Sequence, residues 1–303
     1  MAAQIRVLRR RIRSVSSTKK ITRAMELIAA SRIVKAQQRV AESQPYADEI
    51  TRVVSAMAST AGISSALTDV RENPTRAAVL VITSDRGLAG AYNSSALKTT
   101  EELIAKLRNE GKETHLYAIG RKAVGYFTFR GRPPVRSFTG FSEQPTYAAA
   151  KEAADAVIQA FLADPEGPDA STRVDEIHLV YTQFVSVLTQ RPQAVRVVPL
   201  VVEQSTEERP EHLPSFEFEP SADAVLEPLL PRYVESRVYA AMLQSAASES
   251  ASRRRAMKAA TDNAEELIKA LTREMNAARQ AEITQEISEI VGGADALAAG
   301  AEV

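Results

Sequence analysis

The sequence lacks the residues on which most metal and redox sites depend. Its 303 residues include no cysteine and no tryptophan, and aromatic residues make up only 5%. Without cysteine the chain can form no disulfide, no thiolate metal site and no cysteine nucleophile. The three histidines, His115, His178 and His212, lie far apart and lack the spacing of metal ligands. We therefore expect no metal and no other cofactor, and helices that pack closely through small side chains.

Long apolar runs are missing as well. No stretch approaches the ~20 apolar residues that a membrane-spanning helix needs. The first residues are basic but lack the apolar core of a signal peptide. The sequence therefore predicts neither a transmembrane helix nor a secretory signal.

Charge is balanced overall but unevenly distributed. The whole chain has 38 basic and 38 acidic residues, whereas residues 1–40 contain a single acid, Glu26. A basic helix on an otherwise acidic chain indicates an anionic partner surface, and a solvated helix face explains it equally well. Nucleic-acid binding is disfavoured, because interleaved aromatic residues are absent. The basic residues of the segment are Arg6, Arg9, Arg10, Arg11, Arg13, Lys19, Lys20, Arg23, Arg32, Lys35 and Arg39.

Glycine and proline are absent from two long stretches, residues 1–44 and 232–291. Continuous helices over them would be about 65 Å and about 90 Å long at ~1.5 Å per residue. In both stretches apolar residues recur at steps of three and four, the heptad pattern of a coiled coil. We expect the helices to pair antiparallel within one chain, although a coiled coil between two copies stays open. The recurring residues are Ile5, Leu8, Ile12, Val15, Met257, Ala260, Ala264, Leu267 and Leu271.

Helix breakers stand near the ends of these stretches. Pro45 predicts a break or kink in the first helix. Pro228 and Pro231 precede the second helix, and Gly292 with Gly293 is expected to end it.

Strands and helices alternate in the middle of the chain. Buried-strand patterns alternate with amphipathic helices there, which predicts a doubly wound, Rossmann-like α/β domain. The predicted strands are residues 77–83, 115–119, 176–187 and 194–202, and the predicted helices are 95–109, 121–129 and 147–162. The polar segment 164–172, which contains Pro165, Gly167 and Pro168, is predicted to be a surface loop.

These patterns divide the chain into five segments and assign the fold to the α/β class. An N-terminal coiled-coil helix over 1–60 is followed by the α/β domain over 75–205 and a linker over 206–230. The C-terminal coiled-coil helix over 231–292 pairs with the first, and residues 293–303 form a tail.

The segment SDRGLAGAYN, residues 84–93, follows the first predicted strand. Doubly wound domains bind phosphates at this place. The segment matches neither the Walker loop nor the dinucleotide fingerprint, so a structural or partner-contact turn fits better. A catalytic group is disfavoured, because no histidine or paired carboxylate is near in sequence. The candidate residues of this loop are Ser84, Asp85, Arg86 and Gly87.

Three segments together resemble the γ subunits of the F-type ATP synthases. The run IRSVSSTKKITRAMELIAASR, residues 12–32, is similar to the opening helix of that family. SDRGLAGAYN resembles the family's loop after the first strand. Residues 256–297, with ITQEISEIVGGA, are similar to its most specific stretch. The order and positions match, so the resemblance covers essentially the whole chain.

The resemblance implies a bacterial-type rotating central stalk without a catalytic site or cofactor of its own. The paired helices would form an axle inside the hexamer of three α and three β subunits. The α/β domain would lie below it, against the ε subunit and the ring of c subunits. Proton flow would thereby be coupled to ATP synthesis on the β subunits. The chain would sit at the cytoplasmic face of the cell membrane, reaching the membrane only through the complex.

The resemblance also implies partner contacts. Met25, Arg253, Gln280 and Thr284 match positions at which the axle meets β, and Arg254 stands where the family usually has methionine. A methionine at position 25 also suits coiled-coil packing. The segment 164–172 looks longer than the family usually has. Two rival interpretations remain: a nucleotide-binding α/β enzyme with helical arms, and a coiled-coil scaffold.

Overall fold

The computed structural model describes residues 2–58, 71, 73–164, 166–199 and 222–300. Two very long helices flank a central region of alternating strands and helices, as the sequence predicts. The helices are α1 (Ala2–Ala58), α2 (Tyr92–Asn109), α3 (Arg121–Phe129), α4 (Tyr147–Leu162) and α5 (Ala222–Gly300). The strands are β1 (Arg76–Ile82), β2 (Glu113–Ile119), β3 (Arg136–Phe138), β4 (Glu176–Phe184) and β5 (Gln190–Val198).

The five strands form one sheet in the order β3-β2-β1-β4-β5. The first four are parallel, and β5 runs antiparallel to β4 at the edge. The central strand β1 is buried along nearly its whole length, which explains its uninterrupted apolar sequence. The predicted doubly wound α/β domain is confirmed.

Helices cover both faces of the sheet. Helices α2 and α3 pack on one face through residues such as Leu107 and Phe127. Helix α4 packs on the other face, beside the parts of α1 and α5 that contain Val54 and Val238. Each face is therefore apolar, and the long helices supply part of the hydrophobic core of the α/β domain.

The chain divides into two compact units. One consists of residues 1–28 with 254–303, and the other of residues 29–253. Both long helices pass from one unit into the other, since α1 and α5 are continuous across residues 28 and 254. The expected segment boundaries at residues 60 and 231 stay a prediction.

In the first unit α1 and α5 pair antiparallel. The hydroxyl groups of Thr22 and Thr261 are hydrogen-bonded at 2.8 Å, and Lys19 Nζ lies 2.9 Å from Glu265 Oε2. Residue numbers thus rise on one helix as they fall on the other, within a single chain. The expectation of an intramolecular antiparallel pair is confirmed. Buried residues of this seam are Ile5, Leu8, Met257, Ala264 and Leu271.

The helix breakers do not end the helices. Pro45 lies inside α1, and Pro228 and Pro231 lie inside α5. A proline in a helix costs about 3 kcal/mol, and buried neighbours such as Ile50 and Leu230 offset this cost by packing into the core. The expectation that the second helix begins after Pro228 and Pro231 is wrong, and Pro45 does not interrupt α1, so that the kink expected there stays a prediction.

The expected stop at Gly292 and Gly293 is also wrong. Both residues lie within α5, which continues to Gly300. A glycine weakens a helix by only about 1 kcal/mol, so two glycines do not terminate it by themselves. The predicted tail over 293–303 is therefore helical as far as residue 300.

Smaller differences concern the sheet and its connections. Strand β3 has three residues, too few to show a pattern, and the sequence analysis missed it. Strand β5 begins four residues before the predicted strand, and residues 200–202 of that strand lie outside the described residues. Residues 206–221 of the predicted linker also lie outside them, whereas 222–230 belong to α5. Turns occupy residues 166–172, as expected of a loop.

No described helix contains a stretch long and apolar enough to cross a membrane.

The antiparallel register predicts a specific disulfide. Because the Thr22 and Thr261 hydroxyls touch, the double variant Thr22→Cys, Thr261→Cys should form an intramolecular disulfide on oxidation. The chain has no other cysteine, so mass spectrometry of the monomer reads this bond directly.

A mismatched pair is the control. The variant Thr22→Cys, Thr272→Cys places the second cysteine about 16 Å further along the helix and should form no intramolecular bond. Disulfides found only between copies in the matched variant would contradict the pairing within one chain.

A glycine at the end of β2 predicts a large stability effect. Gly120 has a φ of 93°, and a Cβ atom there would lie 2.2 Å from the carbonyl oxygen of Thr83. Gly120→Ala should lower the free energy of unfolding by about 2–3 kcal/mol, through strain and a backbone clash. Gly125→Ala, in the middle of α3 with no atom near the added Cβ, should raise it by about 0.5–1 kcal/mol. Denaturant titration measures the free energy of unfolding of both variants. Equal changes in the two would show that the added Cβ atom at position 120 does not clash with the Thr83 backbone.

Candidate functional site: the loop after β1 and helix α5

The loop after β1 is held by polar groups of its own motif. Ser84 is fully buried, and its backbone N–H donates to Oδ1 of Asn93 at 2.9 Å. Its hydroxyl lies 2.6 Å from the carbonyl oxygen of Arg86, to which it donates. Asn93 stands in the first turn of α2, so the motif closes the connection between β1 and α2.

Asp85 ties this loop to two further segments. Its Oδ2 accepts hydrogen bonds from the backbone N–H groups of Gly140 and Ser142, at 2.8 and 3.0 Å. Its Oδ1 accepts from the N–H of Arg121, the first residue of α3, at 3.2 Å. A carboxylate at a helix N-terminus interacts favourably with the helix dipole. Asp85 thus supplies the negative charge that a phosphate would bring to this place, which argues against a nucleotide site here.

The tip of the loop presents a cation and an apolar side chain to solvent. The Arg86 side chain is 74% exposed, and Leu88 is 61% exposed. Leu88 also has a φ of 62°, a left-handed conformation that is uncommon for residues other than glycine. Left-handed backbone conformations of residues other than glycine are more frequent at functional sites than elsewhere.

Arg253 of α5 lies beneath this loop. Its side chain is 5% exposed, and its Nη2 donates to Glu249 Oε1 at 2.7 Å. The same nitrogen donates to the carbonyl oxygens of Gly87 and Arg86 at 3.3 and 3.5 Å. Its Nη1 forms an ion pair with Glu143 Oε1 at 3.2 Å. The Arg253 guanidinium is thus bound within the chain, and its expected contact with the β subunit stays a prediction.

Burial shapes the electrostatics of this cluster. Burial raises the pKa of the Glu249 carboxyl, and the nearby Arg253 guanidinium opposes that shift. Burial also raises the pKa of the Tyr92 phenol, with a further contribution from the charge of Glu249. Charged and polar groups are thus packed where water has little access, so their mutual interactions are stronger than on a surface.

The other predicted contact residues belong to the unit of residues 1–28 and 254–303. Met25 and Arg254 are half-buried, whereas Gln280 and Thr284 are exposed. Gln280 and Thr284 stand four residues apart and so share one face of α5. Among the described residues, no group of histidine, aspartate or glutamate side chains could hold a metal ion.

Comparisons with known proteins agree with the sequence and the fold. A family model described as "ATP synthase" matches residues 4–297. The "ATP synthase gamma chain" of Parafrankia sp. (strain EAN1pec) is 63% identical, over 99% of this chain and 100% of its own length. This chain belongs to the γ-chain family of the ATP synthases. The "ATP synthase gamma chain" of Frankia casuarinae is 62% identical, again over 99% and 100%.

Solved structures share the fold of this γ chain. A chain in "Cryo-EM structure of Euglena gracilis mitochondrial ATP synthase, OSCP/F1/c-ring, rotational state 3" has a TM-score of 0.67 at 19% identity, covering 100% of this chain and 97% of that one. A chain in the rotor structure of the same synthase has a TM-score of 0.63 at 16% identity, covering 93% and 100%. The chain is thus a subunit of an F-type ATP synthase, and a free enzyme or scaffold is not favoured.

Sequence analysis found only part of this site in the γ chain. It singled out Arg253 and the loop residues separately, but not their contact. Glu249 carried a signal that was overlooked, since it stands four residues before Arg253 on a helix and so on the same face. Glu143 carried no signal in the sequence that could have revealed its contact with Arg253, because it lies in a connection between β3 and α4.

The bonds of Asp85 predict its contribution to stability. Asp85→Asn keeps the size of the side chain but replaces one acceptor oxygen with a donor that meets N–H groups. The free energy of unfolding should fall by about 1–3 kcal/mol. Asp262→Asn, in an exposed ion pair with Lys258, should change it by less than about 1 kcal/mol. Chemical denaturation measures the free energy of unfolding of both variants. Equal decreases in the two would show that the hydrogen bonds of Asp85 do not stabilise the fold.

Proposed function

We propose that the chain is the rotating central shaft that couples proton flow to ATP synthesis. The observation that carries this proposal is the antiparallel pairing of α1 and α5 within one chain. Two helices joined along a seam resist bending and twisting better than one, because each would have to break contacts with the other. Family membership and the solved rotor structures with the same fold support the proposal.

The proposed partners follow from the family. The paired helices would turn inside a hexamer of α and β subunits. The α/β domain would contact the ε subunit and the ring of c subunits. One solved structure of similar fold comes from an assembly of mitochondrial ATP synthase described as OSCP, F1 and c-ring. We place the chain at the cytoplasmic face of a bacterial membrane, to which it is attached through the complex.

The proposed contacts with β combine exposed polar residues and cations. Gln280 and Thr284 on α5, together with the half-buried Met25 and Arg254, are proposed to meet β. The loop over 84–87 offers Arg86 as its exposed cation. Exposed ion pairs contribute only ~0–1 kcal/mol each, which lets a shaft turn without being held at one angle. The stiffness of the seam, rather than any single charge, would then carry most of the torque.

A comparison of two variants tests this function. Inserting Gly-Pro after Ala264, a buried seam residue, breaks the helix and turns all later residues by about 200°. ATP synthesis in membrane vesicles that contain this chain as their γ subunit should fall to background. Arg254→Ala should reduce synthesis by no more than about fivefold, the equivalent of one exposed ion pair.

Assembly must be checked by the subunit composition of each complex. If Arg254→Ala abolishes synthesis while the insertion preserves it in an intact complex, charge carries the torque and the stiff-shaft proposal fails. Wild-type chain that assembles with α and β but supports no synthesis would refute the proposed function itself.

A further inference from the structure

Glu143 is a meeting point for arginines from three separate segments. Its carboxylate forms ion pairs with Arg32 of α1, with Arg86 of the loop after β1 and with Arg253 of α5. Arg253 lies 3.2 Å away and Arg86 3.6 Å away. The Glu143 side chain is only 15% exposed, and those of Arg32 and Arg253 are 28% and 5% exposed. One carboxylate thus connects both long helices to the α/β domain.

Among the described residues, the remaining contacts of α1 with the domain are largely apolar, whereas α5 also forms hydrogen bonds with it. The backbone N–H groups of Thr182 and Phe184 donate to Ser245 and Gln244 of α5, and Glu235 of α5 accepts from Tyr147 and Lys151. Ile50 and Val54 of α1, and Val234, Val238 and Met242 of α5, pack into the core on one sheet face. Hydrophobic contact is non-directional and depends on the area buried. A helix can therefore slip or turn slightly on such a surface while keeping much of its buried area. Apolar packing alone fixes the position of a helix better than its rotation about its own axis.

Hydrogen bonds of arginine have fixed directions, and an ion pair limits how far its two charged groups can move apart. The guanidinium is planar and holds its donors in a rigid fork. Rotation of α5 about its axis would carry Arg253 away from Glu143 and from the carbonyl groups of the loop after β1, whereas Glu249 lies on the same helix and would move with it. Rotation of α1 would carry Arg32 away from Glu143 in the same manner. Low exposure strengthens these interactions relative to a surface pair.

We propose that Glu143 is a positioning residue for rotational coupling, because its carboxylate holds the rotation of α1 relative to the α/β domain through Arg32 and, together with the other hydrogen bonds of α5, contributes to holding that of α5 through Arg253. This inference rests on the proposed function of the chain as a rotating shaft. In this proposal, torque is transmitted between the long helices and the α/β domain through the ion pairs of Glu143 with Arg32 and Arg253, in addition to the apolar core.

Replacing Glu143 by glutamine separates this role from folding. Glutamine has nearly the same size and removes the charge that Arg32 and Arg86 share. Arg253 retains its hydrogen bond to Glu249, and the apolar core is untouched. We therefore expect Glu143→Gln to fold and to assemble, with a looser connection between the helices and the domain.

The experiment measures coupling in the assembled complex. In membrane vesicles, ATP hydrolysis and ATP-driven proton pumping are recorded for wild type, Glu143→Gln and Glu143→Asp. Glu143→Gln should lower the ratio of pumping to hydrolysis by about threefold to tenfold, the range seen when a network residue alters coupling. Glu143→Asp, which keeps the charge on a shorter side chain, should recover part of the ratio. A purely structural role would lower both activities together and leave the ratio unchanged.

Glu102→Gln is the matched control. Glu102 is an exposed glutamate of α2 that pairs only loosely with Lys98, at 3.8 Å, and its replacement should leave the ratio at the wild-type value. If Glu143→Gln fails to assemble, the ratio of pumping to hydrolysis is measured for Arg32→Gln instead. This variant removes the ion pair between α1 and Glu143 and keeps the ion pair between Glu143 and Arg253.

The outcomes separate the two levels of the argument. A wild-type complex that neither pumps nor synthesises would refute the proposed function. A coupled wild type, with an unchanged ratio in Glu143→Gln, or in Arg32→Gln where the first variant does not assemble, would overturn only the role of Glu143.

Discussion

The structure depends on bringing the two ends of one chain side by side. Helix α1 precedes the first strand and α5 follows the last one, yet both pack on the same face of the sheet, next to α4. Burial of apolar residues such as Val54 and Val238 brings the helices to that face. Because the domain closes the long loop between them, the helices can pair antiparallel without a second chain.

Polar interactions give this arrangement its detail. The Thr22–Thr261 hydrogen bond fixes the register of the seam, since a shift along either helix would leave both buried hydroxyls without this partner. In the α/β domain, the three backbone N–H groups bonded to Asp85 hold the loop after β1 in place. Arg253 then joins that loop to α5 through its carbonyl groups. The loop after β1, which binds phosphates in many doubly wound domains, here connects the α/β domain to α5.

The helix ends expected from the sequence rested on local energies. The long helices include their prolines because buried neighbours such as Ile50 and Leu230 offset the cost of proline, whereas Gly292 and Gly293 cost too little to end α5. The resemblance to the family implied that Arg253 contacts the β subunit. The structure buries Arg253, because Glu249 on the same helix and Glu143 from another segment compensate its charge. At the prolines and at Arg253, contacts between residues distant in sequence thus decided what local patterns do not predict.

The sequence by itself determined the two long helices, the alternating strands of the α/β domain and the family, because periodicity and motif spacing are local properties of the chain. It also indicated an antiparallel pair, since the helices stand at opposite ends of a domain. Only the tertiary structure decided the register of the seam and the burial of Arg253. It alone brought Glu143 to Arg32, more than a hundred residues away. Such contacts depend on how the sheet and helices pack, and no local pattern in the sequence encodes that packing.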